Sequence, residues 1–410
     1  MKKLYLCKII LFFAIFASGC FTIFAENINE LREKANRLFK EGNYNDALEI
    51  YKELLSGKIE NSSPEIDFTN AMPCFYKLRK NSEIDEFREN VIDNFKGNWK
   101  LLWVAGKSFL EQYHIGLLID GKFVRGIGGI GKRVSAYRRD RVMGLQLFNQ
   151  AYEIVSKTKK EIPEEEFYNF LISFATAINY YDSIYHLQDL TDISTLPDYD
   201  EVDIYGMRSS FDNIYIGAPV NKEGNPIYYS IPANFATAKS DGERWRFLLH
   251  QASLIAPKYK AQVDMIYAKF LFRNFGVQTI ITNSFYRNSG NNEILYVVHT
   301  LSEEETIARF ATGIKRFKMP DEHNYIKIMR EVSKTDYLPA QDALNTLAEI
   351  FKNRRQYTKA VECLQEAIQR FADKLNFQNQ LMDIVGDWGV FLSEKPFPAG
   401  KNPILRLRYR

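Results

Sequence analysis

The hydrophobic residues near both ends of the chain recur with the spacing of paired helices. Before a Gly42-Asn43-Tyr44 turn they are Leu31, Ala35, Leu38 and Phe39, and after it Ala47, Leu48, Tyr51, Leu54 and Leu55. Near the other end the pattern returns at Ala348, Phe351, Tyr357, Ala360, Leu364, Ala367 and Ile368. In both segments a Tyr-x-x-Ala spacing ends twelve residues after an earlier alanine. The match predicts two tetratricopeptide-like helix pairs, with two unrelated helical hairpins as the alternative.

Further helical patterns fill the region between these pairs. They cover 66–95 as a pair, and then 99–113, 134–157, 164–181, 241–255, 261–275 and 303–317. Residues 114–124 and 279–301 are rich in β-branched and aromatic types and predict short hairpins. Residues 189–232 predict a long irregular arm that packs through its tyrosines. The expected fold is mostly α, an irregular α-solenoid of tetratricopeptide-like helical hairpins with a few short β-hairpins inserted and a C-terminal β-strand.

The last residues change character after Gly386. Trp388-Gly389 and then Pro396, Pro398 and Gly400 predict a linker. Leu405, Leu407 and Tyr409 alternate with Arg406, Arg408 and Arg410, which is the period of a half-buried strand. We therefore divide the chain into four regions after the N-terminal segment. They are N-terminal tetratricopeptide-like helices at 26–113, a helical middle region with a glycine-rich hairpin and a long irregular arm at 114–335, C-terminal tetratricopeptide-like helices at 336–387, and a linker with the first strand of a missing β-domain at 388–410.

The N-terminal residues have the pattern of an export signal. Lys2, Lys3 and Lys8 border an apolar run at 9–16, which is too short for a membrane span of about 20 residues. The following Ala17-Ser18-Gly19-Cys20 resembles a bacterial lipobox, which predicts a signal peptide at 1–19 and lipidation of Cys20. Cleavage by an ordinary signal peptidase after Ala25 is the alternative. Either interpretation predicts an exported protein of a bacterial envelope, periplasmic or anchored to the membrane by lipid.

The composition is that of a folded and nearly neutral protein. Hydrophobic residues make up 46% of the chain, and 54 basic residues stand against 51 acidic ones. This balance creates no field that favours nucleic acid, so we expect no nucleic-acid partner. Outside the N-terminal segment the cysteines are Cys74 and Cys363. We expect two buried, unpaired thiols, with a disulfide between them as the alternative.

A glycine-rich segment is a candidate for phosphate chemistry. Its glycines are Gly126, Gly128, Gly129 and Gly131. With Lys132 they fit the first seven positions of a phosphate-binding loop, but Arg133 stands where that loop needs the hydroxyl of Ser or Thr for Mg²⁺. The favoured interpretation is therefore a flexible hairpin tip that contacts a partner.

The other reactive residue types lack the spacing of known sites. The acidic residues Asp189, Asp192, Asp198, Asp200, Glu201 and Asp203 match no calcium loop and favour a solvated loop. The five histidines are scattered, without the spacing of a zinc site. The sequence also contains no Gly-x-Ser-x-Gly motif to hold a nucleophilic serine. We therefore expect no metal, no cofactor and no enzymatic activity.

A series of short segments carries a resemblance to a known family. In chain order they are NWKLLW at 98–103, RDRV at 139–142, LTD at 190–192, LPDY at 196–199, GAPV at 217–220, GNPIY at 224–228, DGERWR at 241–246, NQL at 379–381, IVGDWG at 384–389, PAG at 398–400 and LRLRYR at 405–410. Together they resemble the helical N-terminal region of large bacterial alpha-2-macroglobulin-like proteins. The resemblance covers nearly the whole chain after the signal.

This resemblance implies an envelope protein of a protease-inhibitor-like family, whose helical region hands over to β-sandwich domains in the same or an adjacent gene product. Trapping members of the family use a Cys-Gly-Glu-Gln-type thioester and a bait region, and neither Cys74 nor Cys363 has that context. The expected function is a non-enzymatic protein-interaction scaffold that binds a protein or peptide through Asn43, Tyr44 and the loop from Gly126 to Gly131. The alternative is a free-standing periplasmic tetratricopeptide adaptor that organises an envelope assembly.

Overall fold

Helices dominate the computed structural model of this chain. It describes residues 28–126, 128–158, 162–180, 187–202, 218–276, 298–310, 312–336, 338–371 and 374–394. Within these ranges there are thirteen helices and a few short antiparallel strands, which confirms a mostly-α fold with small β insertions. In this part of the chain no helix has the length and apolar character needed to cross a bilayer. The export signal with Cys20, the strand predicted at 405–410 and nearly all of the hairpin predicted at 279–301 lie outside the described residues.

The described residues pack into two units. Unit 1 contains the residues up to 177 and 191–202, with the helices α1 (28–40), α2 (Tyr44–Leu54), α3 (Pro64–Leu78), α4 (Ile84–Asn94), α5 (Trp99–Leu110), α6 (Tyr137–Lys157) and α7 (Glu164–Ile178, whose last residue is counted with unit 2). Unit 2 contains α8 (Asp241–Ile255), α9 (Lys260–Phe275), α10 (Tyr325–Ser333), α11 (Leu338–Asn353), α12 (Tyr357–Arg370) and α13 (Lys374–Glu394). The predicted middle region at 114–335 is therefore divided between the units.

Helix pairs form at both places where the matched patterns predict them. In unit 1 the pair α1 and α2 encloses Ala35 and Ala47, which are fully buried. In unit 2 the pair α11 and α12 buries Ala348 and Ala360 in the same way. Small residues at such positions let two helices pack at close range. The helix pairs are thus confirmed, and their assignment to the tetratricopeptide class stays a prediction.

Three strands between α5 and α6 and a fourth strand after α7 form a small antiparallel sheet in unit 1. Its strands are β1 (Ile115–Ile119), β2 (Lys122–Arg125), β3 (Lys132–Ser135) and β4 (Asp200–Glu201), in the order β2-β1-β3-β4. The hairpin predicted at 114–124 is confirmed. The helix predicted from residue 134 begins at Tyr137 instead, because Val134 is paired with Gly116 in the sheet.

Buried charges connect this sheet to the helices of unit 1. Arg125 of β2 donates hydrogen bonds to both carboxylate oxygens of Asp140 on α6, at 2.9 and 3.0 Å, and to Asp85 on α4. The neighbouring Arg88 is fully buried above the ring of Phe109, and this burial lowers its pKa to about 10. Because a buried charge is costly without a partner, these pairs fix how α4, β2 and α6 are arranged.

The helix predicted at 303–317 is wrong, because these residues form a β-hairpin. Strands β5 (Glu305–Phe310) and β6 (Gly313–Lys318) pair antiparallel from Glu305 opposite Lys318 to Phe310 opposite Gly313. Gly313 has a φ of 120°, in the region that side-chain-bearing residues rarely adopt, and it allows the tight reversal. The buried Thr306 on β5 donates to the carbonyl of Phe275 at 2.6 Å, which secures the hairpin to α9.

The linker predicted from residue 388 is also wrong for its first residues, because α13 continues to Glu394. Gly386 and Gly389 each weaken a helix by about 1 kcal/mol. Burial of Phe377 and Ile384 offsets this cost, and the ring of Trp388 stacks on Tyr357 of α12 with centroids 6.2 Å apart. Residues 395–410, with the rest of the predicted linker, lie outside the described residues.

The described parts of the arm predicted at 189–232 are irregular except for β4, and they pack through tyrosines as expected. In unit 1 the ring of Tyr199 stacks on Phe123 of β2 with centroids 4.9 Å apart. In unit 2 Tyr229 is buried, and its ring fills the space beside Gly242 at the start of α8. Packing of these rings compensates for the scarcity of regular hydrogen-bonded structure.

Candidate functional site

An open groove lies between the C-terminal ends of α2 and α3 and the exposed side of α4 in unit 1. Its volume is about 340 Å³, which lies in the lower part of the range for ligand sites. The residues that line it come from all three helices and from the turns that join them. We call this feature the α2–α4 groove.

The floor of the groove is apolar and well packed. It consists of Leu55 after α2, Phe75 of α3, and Phe87 and Val91 of α4, all of them buried. Phe87 and Val91 are one helical turn apart, so they present a continuous apolar strip along α4. The rings of Phe75 and Phe87 lie with centroids 4.9 Å apart. Phe87, at 8%, is the most exposed of these four side chains and presents most of the apolar surface of the floor.

One lip of the groove carries more carboxylates than cations. Lys52 of α2 lies 3.0 Å from a carboxylate oxygen of Glu49 and 4.0 Å from one of Glu83. Glu86, in the first turn of α4, is exposed and makes no hydrogen bond or ion pair with another described residue. Asn90, one turn further along α4, is likewise exposed, and no described residue bonds to its amide. Both side chains are therefore available to a ligand.

The far end of the groove is closed by the turn after α2. Asn94 at the end of α4 donates from its side-chain amide to the carbonyl of Leu55 at 3.0 Å. Gly57 has a φ of 73°, and a Cβ added there would lie 3.1 Å from the side chain of Asn94. Glycine is thus required at this turn both for its conformation and for the close approach of α4.

The turn residues predicted to bind a partner lie along another edge of the same unit. Asn43 is exposed in front of α2, and Tyr44 begins α2 with its ring against Phe39, centroids 5.2 Å apart. The next residue, Asn45, accepts a hydrogen bond from Lys80 at 3.2 Å. Neither Asn43 nor Tyr44 lines the α2–α4 groove.

The glycine-rich loop joins β2 to β3 and approaches this edge. A Cβ placed on Gly126 would lie 4.0 Å from Asn81, which is the neighbour of Lys80. Gly126 therefore lies beside the turn between α3 and α4, and the side chain of Lys80 in that turn reaches Asn45. Gly128 and Gly129 are exposed at the tip, and the adjacent Ile130 is 95% exposed. Residue 127 lies outside the described residues.

The surroundings of this loop differ from those of a phosphate-binding loop. Such a loop leads into a helix, whose N-terminus contributes to anion binding. Here Gly131 leads directly into the strand β3, and a Cβ on Gly131 would lie 2.8 Å from the carbonyl oxygen of Leu118 in β1. The glycine at 131 therefore serves the packing of neighbouring strands.

Carboxylates of the acidic stretch are engaged by neighbouring groups in the described residues. Asp200 pairs with Arg138 at 2.7 Å, and Glu201 pairs with Lys132 at 2.5 Å. Asp192 accepts hydrogen bonds from the backbone and hydroxyl of Ser194, and these bonds lower its pKa. Across the described part of the chain no group of three or more His, Cys, Asp or Glu residues is arranged to hold a metal ion.

The expectation that the two cysteines are buried and unpaired is confirmed. Cys74 lies in α3 and Cys363 in α12, each buried and without a disulfide. Burial raises the pKa of each thiol to about 11. The guanidinium of Arg330 approaches Cys363 at 3.7 Å but does not outweigh that effect. Neither thiol has the environment of a nucleophile.

Sequence reasoning missed the groove residues that carry its chemistry, chiefly Lys52, Glu86 and Asn90. The pattern of α4 contains part of the signal, because Glu86 and Asn90 fall on an exposed face beside the apolar positions. The pattern does not say that the turn after α2 comes to lie beside that face. Comparison of the sequence with family models and with curated proteins finds no match.

Proposed function

We propose that this chain is a non-enzymatic protein-interaction module whose α2–α4 groove binds an extended peptide segment of a partner protein. The observation that carries the proposal is the combination of a preformed apolar floor with exposed polar groups beside it. Phe87, which is 8% exposed above the buried Phe75, offers apolar contact, and Asn90 offers one donor and one acceptor group of the kind a peptide backbone pairs with. A few polar groups above an apolar surface are typical of binding sites.

The size of the groove agrees with a short segment. Its volume of about 340 Å³ corresponds to a few side chains and their backbone rather than to a folded domain. The residues that line the groove offer apolar contact and hydrogen bonds, which are the interactions of a binding site. Binding alone is therefore the activity that we assign to the groove.

The experiment that tests this function uses random dodecapeptides displayed on phage, selected against the full chain. Selected peptides are then synthesised and measured by fluorescence anisotropy. We expect Asn90→Trp to weaken binding at least tenfold, because an indole at this exposed position fills the groove without disturbing the floor. Glu89→Trp is the matched control, because Glu89 is exposed on the same helix and does not line the groove.

The proposal fails if no selected peptide distinguishes these two variants. Equal loss of binding in both would indicate a general effect of the indole on α4. Circular dichroism of each variant checks that α4 and its neighbours remain folded.

We further propose that this module is the N-terminal region of an alpha-2-macroglobulin-like protein of a bacterial envelope. The ordered segments from NWKLLW at 98–103 to LRLRYR at 405–410 support this assignment. The test is to read the gene beyond the codon for Arg410, including an in-frame check across any stop codon. A frame that continues into alternating strand patterns supports the family, whereas a stop codon with no such frame behind it favours a free-standing periplasmic adaptor.

We also propose that the protein is exported and carries a lipid on Cys20. Expression of the full-length gene in a bacterial host with radiolabelled palmitate should label the protein and place it in the membrane fraction. Cys20→Ala should abolish the label. Retention of the label in this variant would contradict lipidation at Cys20, and export without any label would favour cleavage after Ala25.

A further inference from the structure

The charges around the α2–α4 groove define which peptide it takes. The groove is lined by one cation, Lys52, and two carboxylates, Glu83 and Glu86. Lys52 is already engaged by Glu49 at 3.0 Å, a carboxylate just outside the groove. The lip therefore retains a net negative charge, and Glu86 has no cation beside it among the described residues.

We infer that the partner segment is an extended peptide that places a lysine or arginine against Glu83 and Glu86, next to an apolar residue that packs on Phe87. This inference rests on the proposed function of the groove and specifies its ligand. The two glutamates are three positions apart at the start of α4, so one ammonium or guanidinium group can reach both carboxylates. Arginine suits this position best, because its planar fork pairs with a carboxylate through two hydrogen bonds.

The geometry of α4 sets the order of the peptide residues. Glu86 and Asn90 are four residues apart on a helix that rises about 1.5 Å per residue, which separates them by about 6 Å. An extended peptide covers that distance in about two residues, and its side chains point alternately to opposite sides. A basic residue at Glu86 is then followed by an apolar residue directed to the floor, with the peptide backbone within reach of the Asn90 amide.

The helix itself reduces the negative potential without cancelling it. The N-terminus of α4 carries a partial positive charge equivalent to about half an elementary charge. Asp85 in the same turn is directed to Arg125 at 2.9 Å and is only partly exposed. Glu86 is thus the carboxylate that a ligand cation meets first, and Glu83, 4.0 Å from Lys52, lies beside it.

The test uses three fluorescein-labelled synthetic octapeptides that differ at one position between two leucines. The variable residue is arginine, glutamine or glutamate. We expect the arginine peptide to bind the full chain at least tenfold more tightly than the other two at low salt, and this preference should shrink at 0.5 M salt because exposed charges are screened. Glu86→Lys should reverse the order, so that the glutamate peptide binds best.

Glu89→Lys is the matched control, because it makes the same change of charge on the same helix outside the groove. It should leave the order of the three peptides unchanged. If the three peptides bind equally, or if both charge-reversed variants shift the order alike, the inference is overturned. The inference is also overturned if the phage-selected peptides whose binding Asn90→Trp blocks carry no basic residue. In that case the proposed peptide-binding function stands. If Asn90→Trp weakens the binding of no synthetic octapeptide and of no phage-selected peptide, the proposed function itself is overturned.

Discussion

Gly106 and Gly144 face each other where α5 crosses α6. A Cβ on Gly106 would lie 3.0 Å from the carbonyl oxygen of Gly144, and a Cβ on Gly144 would lie 2.9 Å from the carbonyl oxygen of Gly106. The two helices are therefore in backbone contact at this point, and the neighbouring Phe148 and Leu110 pack around it. Any side chain at either position must push the helices apart.

Gly144→Ala should destabilise unit 1 by about 1–3 kcal/mol, since overpacking against rigid backbone outweighs the higher helix propensity of alanine. Alkylation of the buried Cys74 in increasing urea measures the effect, because this thiol becomes accessible when its surroundings unfold. The control is Gly386→Ala in α13, where an added Cβ meets no atom within 4 Å. That variant should gain up to about 1 kcal/mol, measured at Cys363. A neutral or stabilising Gly144→Ala would contradict the close crossing.

The ion pair between Arg125 and Asp140 should contribute much more to stability than the exposed pairs of the same sheet. Asp140→Asn keeps the shape of the side chain but leaves the guanidinium of Arg125 with less compensation beside the buried Arg88. Removing one partner of a buried pair costs about 3–5 kcal/mol. In the control, Glu201→Gln removes the exposed partner of Lys132 and should cost at most about 1 kcal/mol.

The same urea titration of Cys74 alkylation distinguishes these variants. Asp140→Asn should shift the midpoint to clearly lower urea, and Glu201→Gln should leave it nearly unchanged. Similar midpoints for the two variants would mean that Asp85 alone is sufficient to compensate Arg125.

Hydrophobic periodicity predicts some secondary-structure elements of this chain correctly and others wrongly. The helix predicted at 241–255 is confirmed to its end residues, because Ser240 accepts a hydrogen bond from Glu243 at the start and the apolar positions persist along it. At 303–317 the same reasoning fails. Ile307, Phe310, Ile314 and Phe317 recur at intervals of three and four residues, as in a helix. Two short strands joined by a turn at Gly313 produce the same spacing, and only the turn distinguishes a hairpin from a helix here.

The groove was less predictable than the fold for a related reason. The sequence pattern indicates which face of α4 is buried, and so identifies Glu86 and Asn90 as exposed. It does not indicate which turn lies beside them. That depends on contacts between distant residues, such as the hydrogen bond from Asn94 to the carbonyl of Leu55. The exposure of the glycines in the β2–β3 loop, by contrast, could be predicted from the sequence alone.

Cys74 and Cys363 should resist alkylation in the folded protein. With the pKa of each raised to about 11 by burial, about one thiol in a thousand is ionised at pH 8, and the thiolate is the reactive form. Treatment with iodoacetamide followed by mass spectrometry of tryptic peptides should find both unmodified until urea is added. Ser82→Cys places a thiol at an exposed position and should react fully under the same conditions. Rapid native modification of Cys74 would contradict its buried position.

His323 should make unit 2 less stable in mild acid. Its ring is stacked on Tyr228 with centroids 4.2 Å apart, and its Nδ1 lies 2.7 Å from the hydroxyl of Tyr267. Burial lowers the pKa of His323, and the nearby Arg246 lowers it further, while Glu322 at 3.2 Å opposes this shift. The neutral imidazole is thus the form that fits, accepting from Tyr267 at Nδ1 and donating to Glu322 from Nε2.

The direction of the pH effect follows from this lowered pKa. The unfolded chain, with a histidine pKa of about 6.5, takes up the proton at a higher pH than the folded protein does. The stabilising contribution of neutral His323 is therefore complete above about pH 6.5 and declines as the pH falls through the folded pKa. His323→Gln should remove this component, so that urea midpoints from Cys363 alkylation fall less steeply between pH 7 and pH 5 than in the wild type. His299→Gln, at an exposed position, is the control and should keep the wild-type slope. If His323→Gln also kept that slope, the buried ring would not be the source of acid sensitivity in unit 2.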